Sequence, residues 1–214
     1  MNTLTDLDKI KIFFPYHGKN MVNNFLLIIG CIIQSRTVCL YKCRDKVKQV
    51  RGGKQKSKAN SDYTRLIRFF KMKMLTEFIK GIRQLLISLD SFNDKYLIMD
   101  RSNWKIGKKN VNLLTIGGLL ENVFIPFNWI QLNKRGNSNT EERKRIIEML
   151  IELFEWSGKS IEGLILLTDR EFIGDIWWEY LCSRKISFVT RLRGNMYGEL
   201  TTTKGKKNFI KILK

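Results

Sequence analysis

The spacing of apolar residues changes period partway along the chain. Before about residue 95 it is helical. Phe25-Leu-Leu-Ile-Ile-Gly-Cys-Ile-Ile33 sits within one apolar helix predicted over 21–33. A second helix is predicted from a Ser61 cap to about Ser88. Its apolar positions Tyr63, Ile67, Phe70, Met74, Phe78, Ile82 and Leu85 step by three or four, as one buried stripe does. Between them, residues 37–60 are densely basic, and Gly52-Gly53 with the polar run after it turns the second half of that stretch into a loop.

After residue 95 the pattern reads as strands. Tyr96-Leu-Ile-Met-Asp100 is a short apolar run, and Val111–Leu120 and Val123–Leu132 form a hairpin about Glu121-Asn122. Pro126 cannot donate to a ladder, which puts the third strand at a sheet edge. Ser138 and Glu141 have capping-box spacing ahead of a helix running to about Trp156, with Ile146, Leu150 and Leu153 inward. Leu164-Ile-Leu-Leu-Thr-Asp169 is the unbroken apolar run expected of a central strand covered on both faces. A short helix over 174–184 and a fifth strand over 186–193 follow. The predicted order β-β-β-α-β-α-β describes an α/β, ribonuclease H-like core with a mixed five-stranded sheet over 96–214. A small helical, basic region over 1–95 precedes it. Right-handed crossover brings the fourth strand back beside the first.

Charge adds a partner. The 214 residues hold 39 Lys and Arg against 20 acids, a net charge of +19. Solubility needs no such excess, and nucleic acid is the commonest polyanion to explain it. Arg65, Arg68 and Lys71 lie mostly outside the apolar stripe of the second helix and are candidates to meet DNA phosphates. The nine-residue apolar run is too short for a membrane span, which needs about twenty. The four cysteines include no Cys-x-x-Cys pair, and His17 is the one histidine, so reduced cytosolic thiols are expected rather than a zinc site.

Asp100 and Asp169 carry the candidate chemistry. Each follows an apolar strand and precedes an arginine. On adjacent parallel strands their carboxylates would emerge together, where like charges repel unless a divalent cation sits between them. Hard oxygen donors in that arrangement suit Mg²⁺ or Mn²⁺ and the metal-assisted cleavage of phosphodiesters. Arg101, Lys105, Arg170, Arg191 and Arg193 flank the pair as candidate phosphate contacts.

At these residues the chain resembles the bacterial insertion-sequence DDE transposases often called the IS-four group. Asp100-Arg-Ser-Asn-Trp104 looks like their first catalytic motif, and Leu166-Leu-Thr-Asp169-Arg-Glu-Phe172 like their second. Lys134-Arg-Gly-Asn-Ser-Asn-Thr140, Phe188-Val-Thr-Arg-Leu-Arg193 and Tyr63-Thr-Arg-Leu-Ile-Arg-Phe-Phe70 fit the same group, over roughly residues 20–195. The resemblance implies a bacterial, cytoplasmic, nucleoid-associated enzyme that cuts the terminal inverted repeats of its own element and joins them to target DNA. It also implies a homodimer on double-stranded DNA, with Asp100 and Asp169 as the first two metal ligands. The group's third acid lies in a Tyr-x-x-Arg-x-x-x-Glu-x-x-x-x-x-x-Lys motif beyond a mostly β insertion, and nothing after Arg193 matches it. Glu171 is expected to be a neighbour rather than the missing ligand. The expectation is therefore a C-terminally truncated transposase. The alternatives are a non-catalytic DNA-binding remnant and a ribonuclease H-like nuclease acting on RNA·DNA hybrids.

Overall fold

A computed structural model describes residues 9–53, 58–73, 75–88, 95–192, 197–201 and 207–211, the last two segments by their backbone alone. The chain divides into two compact units, Met1–Leu85 and Leu86–Lys214.

The first unit is helical: α1 (Lys19–Ser35), α2 (Leu40–Cys43), a 3₁₀ turn (Arg44–Lys46), α3 (Val47–Val50), α4 (Ala59–Phe70) and α5 (Leu75–Ser88), whose final residues lie past the division. Its core gathers Phe14, Val22, Leu27, Ile28, Cys31, Cys43, Val47, Leu66, Phe69 and Phe78. Phe14 and Phe78 stack with centroids 4.4 Å apart. Gly81 is required there, because a Cβ would lie 2.4 Å from the carbonyl oxygen of Phe13.

The predicted single helix over 61–88 is two helices. The first begins after Lys58 rather than at Ser61 and ends at Phe70, with Lys71 as its C-cap. Its buried positions are Asp62, Leu66 and Phe69, while Phe70 is 48% exposed. The expected stripe assumed one unbroken axis. The break near residue 71 lets each half set its own rotational phase, so the inward face of α4 is shifted by one residue. Part of the predicted loop is also helical, in α3, and residues 54–57 lie outside the described residues.

The second unit has the predicted element order. Strands β1 (Tyr96–Ile106), β2 (Lys109–Leu120) and β3 (Val123–Gln131) precede helix α6 (Thr140–Trp156). Strand β4 (Ile165–Thr168), helix α7 (Asp175–Ser183) and strand β5 (Ser187–Thr190) follow. The mixed five-stranded sheet runs β3-β2-β1-β4-β5, antiparallel through the first three strands and parallel from β1 to β4 to β5. A separate antiparallel pair, β6 (Tyr197–Thr201) and β7 (Lys207–Lys211), comes after β5.

Strand β3 is the edge that Pro126 demands. Pro126 faces Gly117 beside a register shift, and a Cβ on Gly117 would lie 2.0 Å from the Ile125 carbonyl oxygen, so only glycine lets the strands meet there. Strand β1 is twice the predicted length. It continues past Asp100 into a hairpin with β2, turned at Gly107-Lys108 with Gly107 at φ +59°.

One face of the sheet carries the core. Leu97, Met99, Leu114, Ile116, Phe127, Ile130 and Leu166 pack with Ile146, Ile147, Leu150, Trp177 and Leu181 of the two helices. Burying aliphatic and aromatic side chains of this size stabilises by about 1.5–3 kcal/mol each before entropy is counted. The covering of β4 on both faces is not what the chain shows: Leu166 is fully buried, while Ile165, Leu167 and Thr168 are half-buried.

Candidate active site

The parallel ladder between β1 and β4 aligns Ile98 with Leu167 and Met99 with Thr168. The next residue on each strand is Asp100 on one and Asp169 on the other. Neighbouring strands lie about 4.8 Å apart, and the two aspartates each come one step past the last registered pair of this ladder. Both residues are exposed. Leu97 and Met99 point into the core, which by strand alternation turns Ile98 and Asp100 to the opposite face.

The two aspartates reach these positions differently. Asp100 does not end its strand, as the apolar run suggests, but lies within it opposite Thr115 of β2, whose hydroxyl donates to the Asp100 carbonyl at 3.1 Å. Asp169 lies one residue past the end of β4. Its Oδ1 accepts the backbone N–H of Arg170 at 2.7 Å, which fixes the carboxylate at the start of the turn. On the other side, Thr168 pairs with Thr190 through their hydroxyls, and the Arg191 N–H donates to the Thr168 carbonyl at 3.1 Å.

Behind the aspartates lies a polar network built on Arg101 and Glu171, the pairing that competes with phosphate contact for the flanking cations. The Arg101 Nε lies 2.9 Å from both Oε1 and Oε2 of Glu171. The rest of the Arg101 guanidinium donates to Asn112 Oδ1 at 3.2 Å and Asn137 Oδ1 at 3.3 Å. Ser138 Oγ donates to Glu171 Oε1 at 3.3 Å and accepts from Arg143 Nε at 3.0 Å. Arg143 also donates to the carbonyls of Ser138 and Glu171, at 2.7 and 2.9 Å. Burial pulls its guanidinium below the ordinary arginine range, with Glu171 and then Glu142 opposing the shift. Asn112 is itself buried and holds the loop after β3 through the carbonyls of Lys134 and Gly136, at 2.9 and 3.0 Å. One signal in the sequence points here: Arg143 occupies the inward stripe of α6, three residues before Ile146, where a charge needs partners.

The network also corrects the predicted helix cap. The capping box joins Asn139 and Glu142, with Asn139 Oδ1 accepting from Glu142 N at 2.9 Å and Glu142 Oε2 accepting from Asn139 N at 2.8 Å. Ser138 is turned inward to Arg143 and cannot serve.

The expected phosphate contacts divide. Lys105, Arg170 and Arg191 are exposed in the second unit. Arg101 is not available to solvent in the same way. Its side chain is 14% exposed and is occupied by Glu171, Asn112 and Asn137. Arg65, Arg68 and Lys71 are exposed on and just after α4 in the first unit. Arg193 lies outside the described residues. Glu171 is committed to Arg101 and Ser138. Among the described residues no cluster of three or more His, Cys, Asp or Glu side chains could hold a metal.

Comparison with protein families finds no matching family model. Comparison with curated proteins finds no match. Among solved structures, the HTLV-2 integrase catalytic core domain in complex with magnesium, in its trimeric form, is similar to part of the chain. It is 17% identical with a TM-score of 0.31, over 45% of this chain and 58% of that one. This chain thus spans less than two thirds of that domain. No single helix among the described residues is long and apolar enough to cross a membrane.

Proposed function

We propose that this chain is a DNA-cutting and DNA-joining enzyme of the DDE transposase type, with a ribonuclease H-like core of the kind found in the IS-four group. One observation supports this above the others: the parallel register of β1 and β4 runs directly into Asp100 and Asp169. Paired carboxylates on a strongly basic chain suit phosphodiester chemistry better than a structural role, since unneutralised like charges this close destabilise a fold.

The donor set fits a hard divalent cation. Mg²⁺ commonly binds through one or two carboxylates and completes its shell with water and substrate phosphate. Asp100 and Asp169 would hold it. When bound, the metal supplies activation of an attacking hydroxyl and stabilises the leaving oxygen. The chain's own residues then have separable roles. Asp100 is fixed by its pairing with Thr115 of β2, and Asp169 by its contact with the Arg170 N–H. Arg101 and Glu171 tie the segments that follow the two aspartates to each other. Exposed Lys105, Arg170 and Arg191 would take DNA phosphates.

A second reading is a DNA-binding protein that does not cut, and the lack of a third metal-binding acid among the described residues favours it. One experiment separates the two. The purified chain is incubated with inverted-repeat DNA and Mn²⁺ and assayed for end nicking, beside an Asp100→Asn/Asp169→Asn variant. Nicking by the first and not the second supports the enzyme. DNA binding with no nicking by either supports the second reading.

A further inference from the structure

Beyond the aspartate pair, at the far end of the β1–β2 hairpin, the second unit has an open groove of about 370 Å³. Its walls are the first residues of β2 and the loop that follows β3. It is lined by the cations Lys109, Lys134 and Arg135 and by the amides of Asn110, Gln131 and Asn133, with Leu132 alone contributing an aliphatic side chain. The walls are fixed to each other. Leu132 N–H donates to the Asn112 carbonyl at 2.8 Å, and the Asn112 amide holds the carbonyls of Lys134 and Gly136. The one ion pair here is Lys134 with Glu142, at 2.8 Å. Lys109 and Arg135 have no ion pair among the described residues, and Lys105 and Lys108 stand exposed on the same hairpin.

We infer that this groove is a second DNA-binding subsite, which grips the phosphate backbone of a duplex away from the cut. A preformed concave surface with two cations outside any ion pair among the described residues, a third paired with Glu142, and neutral amide donors is complementary to phosphate oxygens. It is a poor fit for an apolar ligand. Phosphate contacts of this kind set register and orientation and carry no sequence information. The spacing suits that role. From Asp100 to Ile106, the partner of Lys109, β1 runs six residues. At about 3.3 Å per residue that is roughly 20 Å, or about six base steps of duplex.

The inference rests on the transposase reading for its substrate, and its test is independent of cutting. Binding of the 214-residue chain to a fluorescein-labelled DNA duplex is measured by anisotropy in EDTA, across a salt series. Four proteins are compared: wild type, K109Q/R135Q, K109E/R135E, and K95E/K185E. The last makes the same change in net charge at the opposite end of the sheet, before β1 and before β5. For K109E/R135E the expected results are a loss of affinity of roughly tenfold or more and a salt slope reduced by about one per lost phosphate contact. K95E/K185E should keep the wild-type slope, and K109Q/R135Q should move in the same direction as K109E/R135E. Circular dichroism melts establish that all variants fold. Equal losses in the two charge-reversal variants, or an unchanged slope in K109E/R135E, overturn the groove. Groove-dependent binding without Mn²⁺-dependent nicking would overturn the enzyme reading and leave the subsite standing.

Discussion

The guanidinium of Arg101 and the carboxylate of Glu171 face each other with Nε 2.9 Å from both carboxylate oxygens, and each side chain is less than one-fifth exposed. The pair joins the residue after Asp100 to a residue two positions after Asp169. A pair this secluded offsets much of its own desolvation, so its net worth is small, while removing one partner leaves the other charge stranded.

Arg101→Ala and Glu171→Ala are therefore each expected to lower stability by about 2–3 kcal/mol in urea unfolding. The double variant Arg101→Met/Glu171→Leu should recover only the part of that loss due to the stranded charge, because it also leaves the buried Asn112 Oδ1 without the Arg101 donor. If the pair positions the aspartates, the double variant will still bind Mn²⁺ more weakly than wild type by calorimetry. Full affinity in a well-folded double variant would reduce the pair to a structural role.

The cap of α6 gives a sharper comparison. Asn139→Ala removes the N-cap and should cost about 1 kcal/mol. Ser138→Ala leaves the capping box intact but strands buried Arg143 Nε and removes one of the two donors to Glu171 Oε1. It should cost more than Asn139→Ala, within the roughly 1–3 kcal/mol of an unsatisfied buried group. Chemical denaturation of the two variants decides the order, and the reverse order would contradict the inward role of Ser138.

Much of this region could be read from the amino acids. The order of strands and helices follows from the change of apolar period, and the edge position of β3 from Pro126. What periodicity conceals is any decision that depends on distant residues. Ser138 and Asn139 are equally good caps locally, and only Arg143, folded back from the helix, takes Ser138 away. The continuation of β1 through Arg101 to Ile106 is similar. Past Arg101 every residue is exposed and only Trp104 and Ile106 are apolar, so no buried stripe marks the segment, and pairing with β2 alone keeps it extended. In the first unit, the stripe through Tyr63 and Phe70 fails because the break after Phe70 resets the helical phase, a matter of the whole helical core.

Burial raises the Cys31 thiol to about 11, with the nearby Cys43 and Asp62 adding to the effect. The folded state thus favours the neutral thiol more than the unfolded chain does. That contribution to stability is complete below about pH 9 and is lost as the pH rises from there through 11. Urea midpoints measured at intervals from pH 7.5 to 10.5 should fall more steeply for the wild-type chain than for Cys31→Ala. Parallel slopes would mean that Cys31 ionises as easily folded as unfolded. Alkylation at pH 8 should likewise modify exposed Cys39 and Cys182 well before Cys31.

The aspartate pair makes an opposite demand on stability and on binding. On the proposed reading, the two carboxylates, one step past the last β1–β4 pair, repel without a cation, and the fold carries that cost. Asp100→Asn or Asp169→Asn should therefore raise Tm in EDTA, although each removes a charge from an exposed position. In the wild type, adding Mn²⁺ should raise Tm by mass action, because the folded chain holds the paired site and the unfolded chain does not. Either substitution should abolish most of that rise. The two effects have different sources and must appear together. A metal-dependent rise that survives in both single variants would place the cation elsewhere. Variants no more stable than wild type in EDTA would show that the carboxylates do not confront each other, and the case for a shared metal would then fail with them.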